Sequence, residues 1–287
     1  MARISRRWPV LRLDREGERR KRVDQLAGEE PLEIQLDGSS FSVTMRTPGA
    51  DVELVAGFLV SEGVIWRPDH VHQMEYSGVT PQGQRDYNVL NVHLAAGVPT
   101  PDLTRHVYTT SSCGVCGTAS IDAVRKTSAY PVEADHHTFH PDQIAALPER
   151  LRERQEVFQR TGGTHAAAIF VPDASGALQL RCVREDVGRH NAVDKVVGWA
   201  LRTGELPLTG AVLQVSGRAS FELVQKAAMA GIPVLSAVSA PSALAVETAK
   251  ELGLTVIGFN RDERLNVYTG AHRLQPAPSP DRVAEIH

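Results

Sequence analysis

Ala211-Val212-Leu213-Gln214-Val215, Pro233-Val234-Leu235-Ser236-Ala237-Val238 and Thr255-Val256-Ile257-Gly258-Phe259 are three short apolar runs. Helical patterns from Phe221 to Ala230 and from Ser242 to Leu252 separate them. Apolar runs of this length read as strands buried on both faces, and intervening helices require parallel pairing. Upstream, Arg189 to Leu201 places Ala192, Val193, Val196, Val197 and Ala200 on a helix to be buried. Ala168–Val171 and Leu178–Val183 flank a turn at Asp173 to Gly176 and read as a hairpin. Pro141 to Gln159, with Ile144, Leu147 and Leu151 at helical spacing, reads as helix. Residues 141–275 are thus expected to form a three-layer α/β/α domain.

Further toward the start, Leu32–Leu36 and Phe41–Met45 alternate apolar and polar residues around Asp37-Gly38, a hairpin signal. Asp51 to Glu62 reads as a helix stopped by Gly63, and Val71–Tyr76 and Leu90–Leu94 as strands. Residues 31–108 are therefore expected to form a small α+β domain. Residues 1–30 read as a charged, frayed terminus, residues 109–140 as a connector and residues 276–287 as a tail. The fold class is α/β.

The net charge of −3 gives no reason to expect nucleic acid as a partner. No apolar run approaches the roughly 20 residues of a membrane span. Ser5-Arg6-Arg7-Trp8-Pro9 resembles an export signal in passing, but a charged run follows it in place of an apolar one. Three cysteines among 287 residues make no disulfide framework, which favours a reducing, cytoplasmic setting.

In an open parallel sheet, ligands bind beyond the carboxyl ends of the strands. Here those ends lead into Ser216-Gly217-Arg218-Ala219-Ser220, Ser239-Ala240-Pro241-Ser242 and Asn260-Arg261-Asp262-Glu263-Arg264. Two of these loops open helices whose free N–H groups suit an anion, and Arg218, Arg261 and Arg264 add guanidinium forks. A phosphate-bearing ligand, such as a nucleotide, is expected there. The competing reading makes Ser220 and Ser242 simple helix caps and the arginines solvated. A second polar concentration runs from Arg184 to Lys195, where Arg189, His190 and Lys195 could hold an anion or lower a nearby thiol's pKa. His165 precedes a strand close by.

Between the two expected domains lies Thr109-Thr110-Ser111-Ser112-Cys113-Gly114-Val115-Cys116-Gly117. A thiol is nucleophilic as its thiolate, which a following helix N-terminus would favour. The glycines suit a loop able to bend. A sulfur carrier, a dithiol–disulfide couple and half of a zinc site all fit this pair. Cys182 falls inside an expected strand, as a buried inert thiol.

Taken in order, Ser112-Cys113-Gly114-Val115-Cys116-Gly117, Thr161–Ala167, Arg184–Lys195, Val215–Glu222 and Phe259–Gly270 resemble the formate dehydrogenase accessory sulfurtransferase family (FdhD). The long Glu-Asp-Val-Gly-Arg-His-Asn run is far more specific than the Cys-x-x-Cys pair, which is common alone. The resemblance implies a cytoplasmic homodimer with a small N-terminal domain and a cytidine-deaminase-like C-terminal domain. It implies a sulfurtransferase that takes persulfide sulfur from a cysteine desulfurase. It further implies delivery to the molybdenum (or tungsten) bis-guanine-dinucleotide cofactor of formate dehydrogenase, with GDP as a mimic. Cys113 is the implied carrier, and Cys116 relays the sulfur or assists its release. Cofactor binding is implied on Phe259, Asn260, Arg261, Asp262, Glu263 and Arg264. Ser216, Gly217, Arg218 and Ser239 join them from the strand-end argument, with His165, Arg189 and His190 as supporting residues and no metal ligands.

Deaminase chemistry does not follow, because the Cys-x-x-Cys pair precedes that domain. The competing reading is a cofactor-binding chaperone with a structural Cys2His2 zinc site from Cys113, Cys116, His136 and His140. A thioredoxin-like oxidoreductase fits less well, since its cysteines follow a strand within a βαβ unit.

Overall fold

A computed structural model describes residues 4–15, 17–80, 82–99 and 128–275. Strands β1 (Ser5–Leu13) and β2 (Arg19–Ala27) pair antiparallel without a bulge, from Ser5 opposite Ala27 to Leu13 opposite Arg19. This corrects the reading of residues 1–30 as frayed. The charged side chains stay exposed along the ribbon, so pairing the strands desolvates almost none of them.

Strands β3 (Glu30–Leu36) and β4 (Ser39–Arg46), helix α1 (Asp51–Ser61), β5 (Val71–Val79) and β6 (Arg85–Leu94) follow. They build a sheet of order β4-β3-β6-β5, with β3 and β6 parallel across the connection that holds α1. The β3–β4 turn has both Asp37 (φ 47°) and Gly38 (φ 82°) left-handed, as a two-residue hairpin of right-twisted strands requires. Leu32, Ile34, Leu36, Leu90 and Val92 are fully buried, in one cluster with Leu54, Val55 and Leu59 of α1.

The expected helix over 141–159 is three short ones: α2 (Pro141–Ala145), α3 (Leu147–Arg152) and α4 (Glu156–Thr161). Pro148 brings no N–H to the α2–α3 junction, and Gln155 leaves helical geometry at ψ 69°. Then come β7 (His165–Pro172), β8 (Leu178–Asp186), α5 (Arg189–Thr203), β9 (Val212–Val215), α6 (Phe221–Met229), β10 (Val234–Ala237), α7 (Ala243–Glu251), β11 (Thr255–Arg261) and β12 (Arg264–Val267). The sheet order is β12-β11-β10-β9-β7-β8, with β9, β10 and β11 parallel. A further strand follows the parallel series, as β12 turns back antiparallel on β11 through a bulge between Gly258 and Arg261.

The strands' side chains divide by alternation. Ala167, Ile169, Leu213, Leu235 and Val256 join the cluster that includes α5, α6 and α7. Ala166, Ala168, Phe170, Val212, Val234 and Ile257 join Ile144, Leu147 and Leu151 of α2 and α3. These are the three layers. The first cluster continues into α1 and the N-terminal sheet, so the two units share one core. Polar ties cross the same boundary. Lys195 pairs with Asp186 at 2.7 Å and donates to the Thr47 carbonyl, while Asp186 accepts the Thr47 amide at 3.0 Å. Asp194 holds Lys226 at 2.7 Å and accepts the Ser61 hydroxyl. Among the described residues, no helix is long and apolar enough to cross a membrane.

Candidate functional site

Beyond the carboxyl ends of β9, β10 and β11, the three loops are tied together through their backbones. The Ser239 amide donates to Gly217 O, the Phe259 amide to Ser239 O, and the Ser242 amide to Ala219 O. Gly258 sits so close to this stack that a Cβ there would lie 2.8 Å from Pro241 Cδ. Phe259, Asp262 and Glu263 are all left-handed, at φ 50°, 52° and 58°. For a residue as bulky as Phe this is strained backbone, of the kind that clusters at ligand sites.

A cavity of about 760 Å³ opens at this edge, walled by Ser216, Val238, Arg261, Asp262 and Glu263 from the strand ends. Asp142, Glu149, Arg152 and Gln155 face them from α2, α3 and the α3–α4 junction. A second cavity of about 370 Å³ shares Arg152, Gln155 and Ser216, and reaches Gly163, Thr164 and His165. Both volumes lie in the range of small-molecule sites. The first cavity carries four carboxylates against two guanidinium groups, an acid-rich lining for an anionic ligand.

Of the residues expected from sequence, Ser216, Arg261, Asp262, Glu263 and His165 line one or both cavities. Gly217, Arg218, Ser239, Phe259 and Arg264 stand outside both walls, Gly217, Ser239 and Phe259 serving in the backbone stack. Asn260 is fully buried, and its Nδ2 donates to Ile144 O and Ser236 Oγ. It fastens α2 to the sheet beneath the cavity. Ser242 caps α7 by accepting the Ala245 amide, whereas Ser220 makes no side-chain cap and faces His190 Nε2 at 3.3 Å.

His165, Arg189 and Gly217 come together. A Cβ on Gly217 would sit 3.5 Å from His165 Nδ1 and 4.0 Å from Arg189 Cδ. Burial lowers the His165 pKa, and the charges of Arg189 and His190 lower it further, so the ring is neutral near pH 7. Glu222, 3.6 Å from His190 Nε2, has its pKa lowered to about 2, first by that contact. Cys182 is buried and its thiol is pushed up to about 12 by desolvation, the inert state expected for it. Cys113 and Cys116 lie outside the described residues. His136 is exposed and His140 Nδ1 faces Asp142 at 3.4 Å. Among the described residues no cluster of His, Cys, Asp and Glu is arranged to hold a metal.

The sequence reading passed over Arg152 and Gln155, and it quoted Thr164 and Glu185 only within longer segments, with no role of their own. Glu185, at the end of β8, accepts the amides of Val157 and Phe158 at 2.8 and 2.7 Å and the Thr164 hydroxyl at 2.8 Å. It therefore caps α4 and fixes the wall shared by both cavities. Arg152 stacks on Phe158, 5.4 Å from the ring centroid. The local signal for this wall was the i, i+3 pair Arg152 and Gln155 within an otherwise amphipathic segment.

A family model described as the FdhD/NarQ family matches residues 27–275. The sulfur carrier protein FdhD of Streptomyces avermitilis is 55% identical over 278 residues, covering 96% of this chain and 97% of the relative. That of Nocardia farcinica is 53% identical over 283 residues, covering 98% and 99%. A crystal structure from Desulfotalea psychrophila, assigned as a formate dehydrogenase accessory protein, superposes with a TM-score of 0.72 at 23% identity. It covers 95% of this chain and 100% of that one, which establishes the likeness of fold.

Proposed function

Because the chain belongs to the FdhD/NarQ family, we propose that it is a sulfur carrier in the maturation of formate dehydrogenase, working in the cytoplasm as a homodimer. The observation that carries the ligand half of this reading is the cavity at the strand ends. It is roomy, lined by Ser216 and Arg261, and joined to a second chamber holding His165. We assign it to the guanine dinucleotide part of the molybdenum (or tungsten) cofactor, which is the substrate carried for sulfuration, with GDP as a mimic.

Cys113 is assigned as the carrier. Its thiolate attacks the terminal sulfur of a cysteine desulfurase persulfide, the donor's S–S bond breaks, and the donor leaves as a thiolate. Cys113 then holds the sulfur as its own persulfide. On delivery the Cys116 thiolate attacks the inner sulfur of that persulfide. The persulfide S–S bond breaks, a Cys113–Cys116 disulfide forms and the outer sulfur leaves as hydrosulfide for the bound cofactor. A thiol reductant then restores the pair. The guanidinium of Arg189, beside His165, biases the neighbouring surface toward anionic sulfur and phosphate.

Complementation tests this reading. In a strain lacking this gene, the wild-type chain should restore formate dehydrogenase activity and Cys113→Ala should not. Full activity with Cys113→Ala would leave the chain a cofactor-binding chaperone.

A further inference from the structure

The β1–β2 ribbon lies almost wholly outside residues 27–275, the part that matches the family, and it projects from the fold with little covering it. At about 3.3 Å per residue its nine-residue strands extend about 30 Å. Trp8, Leu13 and Val23 are 58%, 59% and 62% exposed, and two strands with no third are marginal in water. Residues 5–27 hold eight Arg and Lys against four Asp and Glu, so the chain's net −3 divides into +4 here and −7 elsewhere. The register puts Arg6, Trp8, Arg12, Arg20, Arg22 and Asp24 on one face and Arg7, Arg19 and Lys21 on the other, so both faces are basic and Trp8 marks the first. Among the described residues the ribbon is tied at its root, where Arg6 reaches Glu30 and β2 packs against α4 beside the cavities.

The larger cavity has the opposite problem: Asp142, Glu149, Asp262 and Glu263 outnumber Arg152 and Arg261. We propose that the Trp8 face of the ribbon is an arm that lies across this acidic rim in a second copy of the chain. Each copy then lends the other the cations that its site lacks for a phosphate-bearing ligand. Reciprocal exchange between two copies closes the assembly with two-fold symmetry and covers the exposed tryptophan. The inference rests on the dimer and cavity assignments made above.

Sedimentation equilibrium of the full chain, combined with GDP titration, tests it. Arg12→Glu/Arg22→Glu alters only exposed ribbon side chains and should weaken self-association and GDP binding, each by roughly tenfold or more. Adding Asp262→Lys/Glu263→Lys should restore association. A dimer unaffected by the ribbon variant overturns the arm while leaving the dimer assignment intact, and a chain monomeric at every concentration overturns both. Weakened association with unchanged GDP affinity overturns the lending of cations. If the wild-type chain binds no GDP, the cavity assignment fails, and the association data alone judge the arm. Ribbon-dependent binding to phosphatidylserine vesicles, with association unchanged, overturns the arm in favour of a lipid contact.

Discussion

Gly57 of α1 and Gly198 of α5 meet where the two helices cross. A Cβ on Gly198 would lie 1.8 Å from Glu53 O, and one on Gly57 would lie 1.8 Å from Asp194 O. Backbone rests on backbone here, and this contact brings the N-terminal sheet into the same core as the cavity-bearing sheet. Neither helix can yield without moving a sheet. Gly198→Ala is therefore expected to cost about 3 kcal/mol, the upper end for overpacking. Urea unfolding with an unchanged m-value would measure it, and a midpoint equal to wild type would contradict the crossing.

Glu185 positions the wall rather than the ligand. Glu185→Gln keeps the shape but loses the charge on a carboxylate that caps α4 and holds Thr164. Charge-assisted contacts to backbone amides are the stronger kind. The expected result is a fall in GDP affinity of roughly tenfold, about 1.4 kcal/mol. Calorimetry reads it directly, and unchanged affinity would make Glu185 a fold residue alone.

Arg218 and Arg261, two of the three arginines that the sequence treated alike, should now separate. Arg261 walls the larger cavity, while Arg218 is exposed and stands outside both. A hydrogen bond from a charged group contributes about 1.5–3 kcal/mol. Arg261→Ala should thus lose GDP affinity by about tenfold or more, with Arg218→Ala close to wild type. Equal losses would move the ligand toward the β9–α6 loop.

His165 gives a pH signature. Burial, then Arg189 and His190, hold its folded-state pKa below the ordinary 6.5. Below that pH the unfolded chain therefore takes up a proton that the folded chain resists. The stability tied to His165 is complete above pH 6.5 and declines as pH falls from 6.5 toward the folded value. His165→Gln should flatten the stability profile over that interval. Profiles that stay parallel would show that the ring titrates freely.

The doubly buried strands β9, β10 and β11 were legible because their apolar runs admit few other solutions, and their parallel order placed the site at one edge. The ribbon was not legible. Arg19 to Arg22 break any period-two apolar pattern, and its strands pair without a buried face to betray them. Of the two breaks in the 141–159 helix, the one at Pro148 is local, whereas the restart of α4 is capped by Glu185 from 27 and 28 residues away, so no local window contains that contact. Asn260 shows the converse failure. A polar residue at a strand end looked like a ligand contact, and tertiary bonds to Ile144 and Ser236 bury it instead.

The most direct test of the sulfur-carrier account is mass spectrometry of the native chain after incubation with a cysteine desulfurase and cysteine. The account predicts one added sulfur on the peptide bearing Cys113 and Cys116, removed by reductant and absent in Cys113→Ala. Cys182, buried with its thiol pushed up to about 12, should gain none. Sulfur on Cys182, or none on the Cys113 peptide while the desulfurase turns over, would contradict it.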